Sequence, residues 1–164
     1  MMDRPDRSTP ASSSMTWLRG TGSYLGISIF GHLFWESLQL PLYTIWTTGT
    51  AWEQTFAVAH CTLGDVLIAL STLALATVIA GRGRWPREQF WLVAGIAMSF
   101  GVAYTVFSEW LNVVIRASWA YSDWMPVISG FGLRIGLSPL LQWLAVPGLA
   151  FFITKQLVDR TRPI

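Results

Sequence analysis

The sequence is poor in cysteine, charge and recognisable catalytic motifs, and each shortage excludes a class of protein. Its single cysteine, Cys61, allows neither an intramolecular disulfide nor a Cys-x-x-Cys site. Charged residues occupy 12% of the 164 positions, about half the share of a soluble domain. The net charge of +2 does not support a basic nucleic-acid-binding face. Walker, Gly-x-Ser-x-Gly, His-Glu-x-x-His and EF-hand patterns are missing, so those classes have no support.

The sequence is instead rich in long apolar runs. Apolar residues make up 52% of the chain and gather in four runs, each long enough as a helix to cross a hydrocarbon core of about 30 Å. We therefore predict an all-α polytopic membrane protein, a four-transmembrane-helix bundle within residues 23–155. The predicted spans are residues 24–46, 55–80, 89–115 and 138–154, the last with Ser138 as N-cap and Pro139 at the first helical position.

The segments outside these spans are predicted to be tails and loops. Residues 1–22 are polar and rich in Ser, Pro and Arg, which is typical of a disordered or surface-lying cytoplasmic tail. Residues 156–164 are predicted to form a second cytoplasmic tail. The apolar stretch 125–137 is interrupted by three glycines. We expect a loop or re-entrant segment packed over the bundle, since exposed irregular backbone is not tolerated in lipid.

The basic residues predict the orientation. Nine lysines and arginines fall on one side of the four-span topology, and only Arg116 and Arg134 fall on the other. The positive-inside rule then places both termini in the cytoplasm, in a bacterial inner membrane. Tryptophans flank both predicted boundaries, as an aromatic belt requires. They are Trp17, Trp85 and Trp91 on the inner side, and Trp46, Trp52, Trp119 and Trp124 on the outer side.

Polar side chains inside the spans are the candidates for chemistry, because a charge at mid-depth costs about 2.5–3.5 kcal/mol on insertion scales. The first span carries a polar stripe at helical spacing, formed by His32, Glu36, Gln39 and Tyr43. A structural pair of His32 with Glu36 is the alternative to a functional site. On the second span, Asp65 has no basic residue close in sequence, so it must be paired across helices or protonated.

Depth along the helices suggests which of these groups meet. Glu36 and Asp65 both fall roughly 15–18 Å from the inner boundary. Two carboxyls sharing a dry site do not both ionise, so one would keep a proton for general acid catalysis or a proton relay. Glu109 lies nearer the outer face and shares a helical face with Asn112 and Arg116. An interfacial Glu109–Arg116 salt bridge is the alternative to function there.

Together these groups predict one polar cavity that opens outward. The catalytic candidates are Glu36, Asp65, His32 and Glu109, with His32 in a second layer toward the cytoplasm. The ligand-binding candidates are His60, Asn112, Gln142, Trp143 and Trp35. We expect Gln142 and the loop 119–124 to close the cavity.

We predict no metal and no cofactor. His60 and Cys61 carry the usual copper and zinc ligands, but adjacent helical residues diverge, and a lone buried cysteine is more often a small hydrophobe. A haem held by both histidines is also disfavoured. His32 and His60 differ in depth by roughly 10 Å, whereas the axial ligands of one haem lie at equal depth.

Two short motifs resemble those of the emopamil-binding, sterol-isomerase-like (EXPERA-type) membrane proteins. The first is HLFWE, from His32 to Glu36, on an early span, and the second is QWLAVPG, with Trp143 four residues before Pro147. The resemblance implies a cavity for a sterol-sized ligand, with His32 and Glu36 as the acid/base pair. It also implies that Trp143 faces a cationic intermediate. The family's Asn three residues before the Trp is Leu140 here.

Three functions stay open at this stage. The first is binding or isomerisation of an apolar lipid or isoprenoid, and the second is metal or proton handling. The third is a non-enzymatic accessory subunit whose buried polar groups only join helices, since interhelical hydrogen bonds contribute about 0.6 kcal/mol on average. The predicted partners are membrane lipid, an apolar small-molecule ligand and a membrane-protein partner or second copy, with no nucleic acid.

Overall fold

Helices dominate the part of the chain that the structure describes, and one short hairpin accompanies them. The structure is a computed structural model that describes residues 10–81, 83–130 and 132–160. In chain order the elements are α1 (Pro10–Gln39), a 3-10 turn (Leu40–Leu42), α2 (Ile45–Thr48), α3 (Ala51–Ala76) with a π-helical end (Thr77–Gly81), α4 (Phe90–Glu109) with a π-helical end (Trp110–Ile115), β1 (Val127–Gly130), β2 (Leu133–Gly136) and α5 (Leu137–Arg160). The predicted all-α class is confirmed.

The four long helices pack as a bundle. Helix α1 contacts α3 and α5, and α4 contacts the same two helices from the other side. Alanines at the centre of these contacts are fully or nearly fully buried, among them Ala69, Ala76 and Ala150. Small side chains let helix backbones approach closely, which is the usual packing mode in membranes.

The surface of α1 is apolar and its buried face is polar. Its outward side chains include Phe30 and Phe34, which are 75% and 66% exposed. Its inward positions recur every three or four residues and are Tyr24, Ser28, His32, Glu36 and Gln39, all buried. A soluble helix has the reverse pattern. Apolar side chains on the outside and polar ones within are expected of a helix surrounded by lipid.

Within the described residues, three helices are long and apolar enough to cross a membrane. They are Ala51–Gly81, Phe90–Ile115 and Leu137–Arg160, the same regions as the second, third and fourth predicted spans. The polar inward face of α1 lowers the hydropathy of its segment and explains why it does not join this set. The protein is therefore membrane-embedded, as its composition predicts.

Helix α1 begins and ends earlier than the predicted first span. Residues 10–22, predicted to be a disordered or surface tail, belong to α1, while residues 1–9 lie outside the described residues. Contacts with the turn before α4 hold this end. Arg87 donates from Nη2 to Thr16 Oγ1 at 2.9 Å, and Gly20 is buried against the ring of Pro86. Tertiary contacts thus override weak local helix propensity.

The other end of α1 is set by a proline. The predicted span continued to Trp46, but the α-helix ends at Gln39, two residues before Pro41. The residue before a proline is disfavoured in the α conformation, and proline donates no backbone hydrogen bond. The chain then leaves α1 through the 3-10 turn, so Tyr43 lies in the segment after the helix, against Tyr121, and not on the helical stripe.

The fourth predicted span is too short at both ends. Helix α5 begins at Leu137 and continues to Arg160, so it includes much of the predicted C-terminal tail; residues 161–164 lie outside the described residues. The predicted N-cap role of Ser138 is wrong. Ser138 is already part of the helix, and its hydroxyl forms hydrogen bonds with side chains of α1.

The glycine-rich stretch before α5 is a β-hairpin. We predicted a loop or re-entrant segment over residues 125–137, and the structure has β1 paired antiparallel with β2 in this region. Gly132 has φ +76° in the connection, a conformation that glycine adopts without strain. The two strands of the hairpin pair their backbone N–H and C=O groups with each other. The segment therefore meets its need for backbone hydrogen bonds without being a helix.

Candidate functional site

A cavity of about 770 Å³ lies at the end of the bundle where α1 and α4 end and α3 and α5 begin. Seven of the nine predicted site residues line it, namely Glu36, Asp65, Glu109, His60, Asn112, Gln142 and Trp143. The loop 119–124 contributes Trp119 and Ala120 to its wall. Thr44 donates its backbone N–H to the Ala120 carbonyl at 3.0 Å, which fixes this loop against the segment after α1.

Gln142 joins three helices at the floor of the cavity. Its Nε2 lies 2.9 Å from Asp65 Oδ2, 3.0 Å from Glu36 Oε1 and 3.1 Å from His32 Nδ1. His32 and Glu36 do not pair directly, as the structural alternative required. Each of them contacts the Gln142 amide instead. We predicted Gln142 as a ligand-binding residue that helps to close the cavity, and not as the shared partner of the acidic cluster. The sequence signal for that larger role was a lone amide in an otherwise apolar span.

The hydrogens of this cluster come from the amide and from the imidazole. The Gln142 Nε2 group has two hydrogens and three neighbours, namely Asp65 Oδ2, Glu36 Oε1 and His32 Nδ1. His32 Nδ1 also lies 3.3 Å from Asp65 Oδ2. With the imidazole proton on Nδ1, His32 donates to Asp65 and the two amide hydrogens serve the two carboxyls, so each of these contacts with a carboxyl has a donor and an acceptor. The floor of the cavity therefore joins two carboxyls and, behind them, an imidazole in one hydrogen-bonded cluster.

His32 lies behind the cavity floor. It is fully buried, does not line the cavity, and packs against Trp143 with ring centroids 5.2 Å apart. This second-layer position still brings it into direct contact with Asp65, through the Nδ1–Oδ2 approach. His32 can thus orient Asp65 without touching a ligand in the cavity.

Trp35 also lies outside the cavity lining. It donates from Nε1 to Ser138 Oγ at 3.1 Å, and Ser138 in turn donates to Gln39 Oε1 at 2.8 Å. Gln39 donates from Nε2 to Glu36 Oε1 at 2.8 Å. Trp35 was predicted to bind ligand; the structure places it at the start of a chain of hydrogen bonds that positions the Glu36 carboxyl.

Trp143 forms a wall of the cavity and holds Asp65. The indole Nε1 donates to Asp65 Oδ1 at 3.2 Å, and the side chain is only 2% exposed. Its ring fits against Gly101 of α4, where an added Cβ would lie 2.2 Å from Trp143 Cε3. Only a residue without a side chain allows this approach.

Glu109 is a second carboxyl on the opposite side of the cavity. The Tyr121 hydroxyl donates to Glu109 Oε2 and accepts the backbone N–H of Gly136 at 2.8 Å. The alternative of a Glu109–Arg116 salt bridge does not form. The ion pairs among the described residues do not include Glu109 with Arg116, because the π-helical turn Trp110–Ile115 breaks the α-helical phase that relates them. Sequence reasoning missed Tyr121, which stands in a loop without helical spacing.

The two remaining predicted residues, Asn112 and His60, also line the cavity. Asn112 donates from Nδ2 to the Ser108 carbonyl at 2.9 Å. The exposed His60 ring stacks on Phe56, with centroids 5.7 Å apart. Cys61 also lines the cavity. Within residues 10–81, 83–130 and 132–160, no group of three His, Cys, Asp or Glu side chains is arranged to hold a metal ion.

Comparison with known proteins returned nothing: the chain matches no protein-family model, no curated protein and no solved structure.

Proposed function

We propose that this protein binds an apolar lipid or isoprenoid in the cavity and isomerises it by proton transfer. One observation carries the proposal. A hydrogen-bonded cluster of Glu36, Asp65 and Gln142, with His32 directly behind it, forms the floor of a cavity that is also lined by the aromatic rings of Trp52, Phe56, Tyr104, Trp119 and Trp143. Aromatic and apolar surface beside convergent polar groups is the usual composition of a small-molecule site. A buried acid beside a base is what proton transfer to carbon requires.

In the proposed reaction, a double bond moves by one position. The Glu36 carboxyl donates its proton to one alkene carbon, and the C–H bond formed leaves a positive charge on the neighbouring carbon. The Trp143 ring faces this charge and stabilises it. The Asp65 carboxylate then takes a proton from the adjacent allylic carbon, whose C–H electrons form the new double bond. The proton returns from Asp65 to Glu36 through the shared cluster, so the enzyme ends unchanged.

The resemblance to the sterol-isomerase-like family supports the same assignment. It implies that His32 and Glu36 form the acid/base pair and that Trp143 is the cation-facing aromatic. His32 acts here as a positioning and proton-storing residue, because Asp65 stands between it and the cavity. Where the family has an Asn, this chain has Leu140, and the Gln142 amide contacts both acidic side chains instead.

We further propose that α1 is a fourth transmembrane span and that both termini are cytoplasmic in a bacterial inner membrane. Its 30 residues correspond to about 45 Å of helix, enough to cross the bilayer. Among the described residues, the bundle end where α1 begins and α5 ends carries five basic side chains, and the cavity end carries Arg116 and Arg134; the five are Arg19, Arg84, Arg87, Lys155 and Arg160. The cavity then opens on the outer side.

Cysteine labelling tests this topology, because Cys61 is the single cysteine and can be replaced by serine. In that background, a cysteine at Trp124, which is 82% exposed, should react with a membrane-impermeant maleimide on intact cells. A cysteine at the exposed Arg160 should react only after permeabilisation. Labelling of both positions, or the reverse order, would contradict the orientation.

Deuterium exchange into bound lipid tests the function. Purified protein in lipid nanodiscs is incubated in D₂O, and the co-purifying lipid is identified by native mass spectrometry and then by analysis of the extract. Reversible protonation at carbon should place deuterium in that lipid. Glu36→Gln should abolish incorporation but retain the lipid, and the exposed Glu88→Gln serves as the matched control.

The other outcomes discriminate the remaining functions. A bound lipid without deuterium in the wild type would leave a binding protein and refute isomerisation. A metal-sized adduct would support metal handling. A bare protein mass in nanodiscs would support the accessory-subunit function.

A further inference from the structure

A second apolar space adjoins the cavity on the lipid-facing side of the bundle. A groove of about 650 Å³ lies between α3 and α4, lined by apolar and aromatic residues that include Leu67, Leu75, Phe100 and Phe107. These four side chains are between 41% and 55% exposed. Because α3 and α4 are both membrane-embedded helices, the groove is open to the bilayer along its length.

The groove and the cavity share three residues. Gly64 and Ile68 of α3 and Tyr104 of α4 line both spaces. Gly64 directly precedes Asp65, so the two spaces meet at the level of the acidic cluster. A Cβ at Gly64 would meet no atom within 4 Å, which means that only empty space lies beside this backbone.

The dimensions fit a linear chain. Along α3 the groove runs from Gly64 to Leu75, which corresponds to about 16 Å of helix. It runs from the acidic cluster toward the opposite end of the bundle, away from the cavity mouth. A flexible hydrocarbon chain can occupy both spaces at once, whereas a rigid ring system fits within one of them.

We propose that this groove holds the hydrocarbon tail of a linear isoprenoid lipid, whose double bond lies in the cavity beside Asp65, and that Gly64 and Tyr104 form the lateral passage between the bilayer and the site. The inference rests on the proposed function and specifies its substrate class. The tail stays in the groove among lipid chains while the reactive end reaches the carboxyls. Substrate then enters from the bilayer and not through the mouth.

Photo-crosslinking with a defined probe tests this inference. The probe is a farnesol analogue with a diazirine at the end of its chain, added to the protein in phosphatidylcholine nanodiscs. Labelled positions are located by peptide mass spectrometry, and unlabelled farnesol identifies the saturable fraction. We expect saturable labelling in the groove segments 67–75 and 100–107.

Filling the passage should remove this labelling. Gly64→Leu places a side chain between the two spaces, and we expect an approximately tenfold weaker saturable labelling, about 1.4 kcal/mol of binding. Gly95→Leu is the matched control, because Gly95 also lies on a membrane-embedded helix and its Cβ would meet no atom within 4 Å. Ser71→Trp fills the groove at a distance from the cavity and provides an independent second variant.

The results separate failure of the passage from failure of the function. Saturable labelling confined to the cavity mouth near Trp52 and Phe56, and unaffected by Gly64→Leu and Ser71→Trp, would overturn lateral entry but leave a ligand in the cavity. A complete lack of saturable labelling, with the protein folded, would overturn both this inference and the proposed isoprenoid substrate.

Discussion

The close contact between Gly101 and Trp143 leads to a specific prediction about the stability of the folded protein. In Gly101→Ala, the new Cβ would lie 2.2 Å from Trp143 Cε3 and 2.3 Å from Cζ3. Carbon atoms in contact normally lie roughly 3.5–4.0 Å apart, so one side must move by more than 1 Å. The Trp143 ring is 2% exposed and is held in place by its packing against His32 and its hydrogen bond to Asp65.

The cost of this displacement follows from the packing. Overfilling a well-packed core costs about 1–3 kcal/mol, and moving the indole also breaks its hydrogen bond to Asp65. At about 2 kcal/mol, the Tm of a chain of this size falls by about 4–8 °C. We therefore expect Gly101→Ala to unfold earlier on heating in detergent, as followed by circular dichroism, and to retain less lipid.

Gly95→Ala is the control on the same helix. An alanine at Gly95 meets no atom within 4 Å, and replacing a helical glycine with alanine stabilises by about 0.5–1 kcal/mol. Its Tm should therefore equal or exceed that of the wild type. A double-mutant cycle with Trp143→Leu should remove most of the cost of Gly101→Ala, since both changes act on one contact. A Gly101→Ala protein as stable as Gly95→Ala would refute the packing argument.

Three other substitutions test single contacts. Tyr121→Phe removes the donor to Glu109 and the acceptor of the Gly136 amide, so it should cost about 1–3 kcal/mol and speed amide hydrogen exchange at Gly136; unchanged exchange would contradict these contacts. In the wild type, burial and the Glu109 hydrogen bond hold the pKa of Tyr121 above its ordinary value. The unfolded chain therefore loses this proton first, and stability should fall as the pH rises above about 10, a loss that Tyr121→Phe reduces. Thr50→Ala removes the capping box at the start of α3 and should lower the Tm by about 2–4 °C, whereas Thr50→Ser should preserve it. Gln142→Leu leaves three polar groups without their amide and should cost about 1–3 kcal/mol; a Tm equal to that of the exposed control Leu141→Ala would show that the amide is not structural.

The helical class and the membrane setting could be predicted because both follow from local sequence. Long apolar runs become helices in lipid wherever they lie in the fold, since the backbone has no other hydrogen-bond partners there. The boundaries of α1 were harder to predict. Its start depends on contacts of Thr16 with Arg87 and of Gly20 with Pro86, which are distant in sequence. Its end depends on Pro41, which ends the helix although the apolar run around it predicts that the helix continues.

The candidate site was partly predictable, because the depth of a residue along a helix also follows from local sequence. Depth along antiparallel helices placed Glu36 and Asp65 at one level, and the structure joins both to one amide. The partner of Glu109 was not predictable, because Tyr121 approaches from a loop and the π-helical turn changes the direction of Arg116. Helical spacing predicts neighbours only while the helix stays regular.

The polar inner face of α1 also bears on how the chain enters the membrane during synthesis. His32 and Glu36 find their shared partner Gln142 at separations of 110 and 106 residues. At ordinary elongation rates that distance corresponds to roughly 5–20 s. In the proposed topology, Glu36 has Gln39 of its own helix as a partner during this interval and His32 has Asp65 of α3, but both lack the Gln142 amide, an unfavourable state against hydrocarbon. We therefore expect α1 to reach its final position late, held at the bilayer surface or by the insertion machinery until α5 arrives.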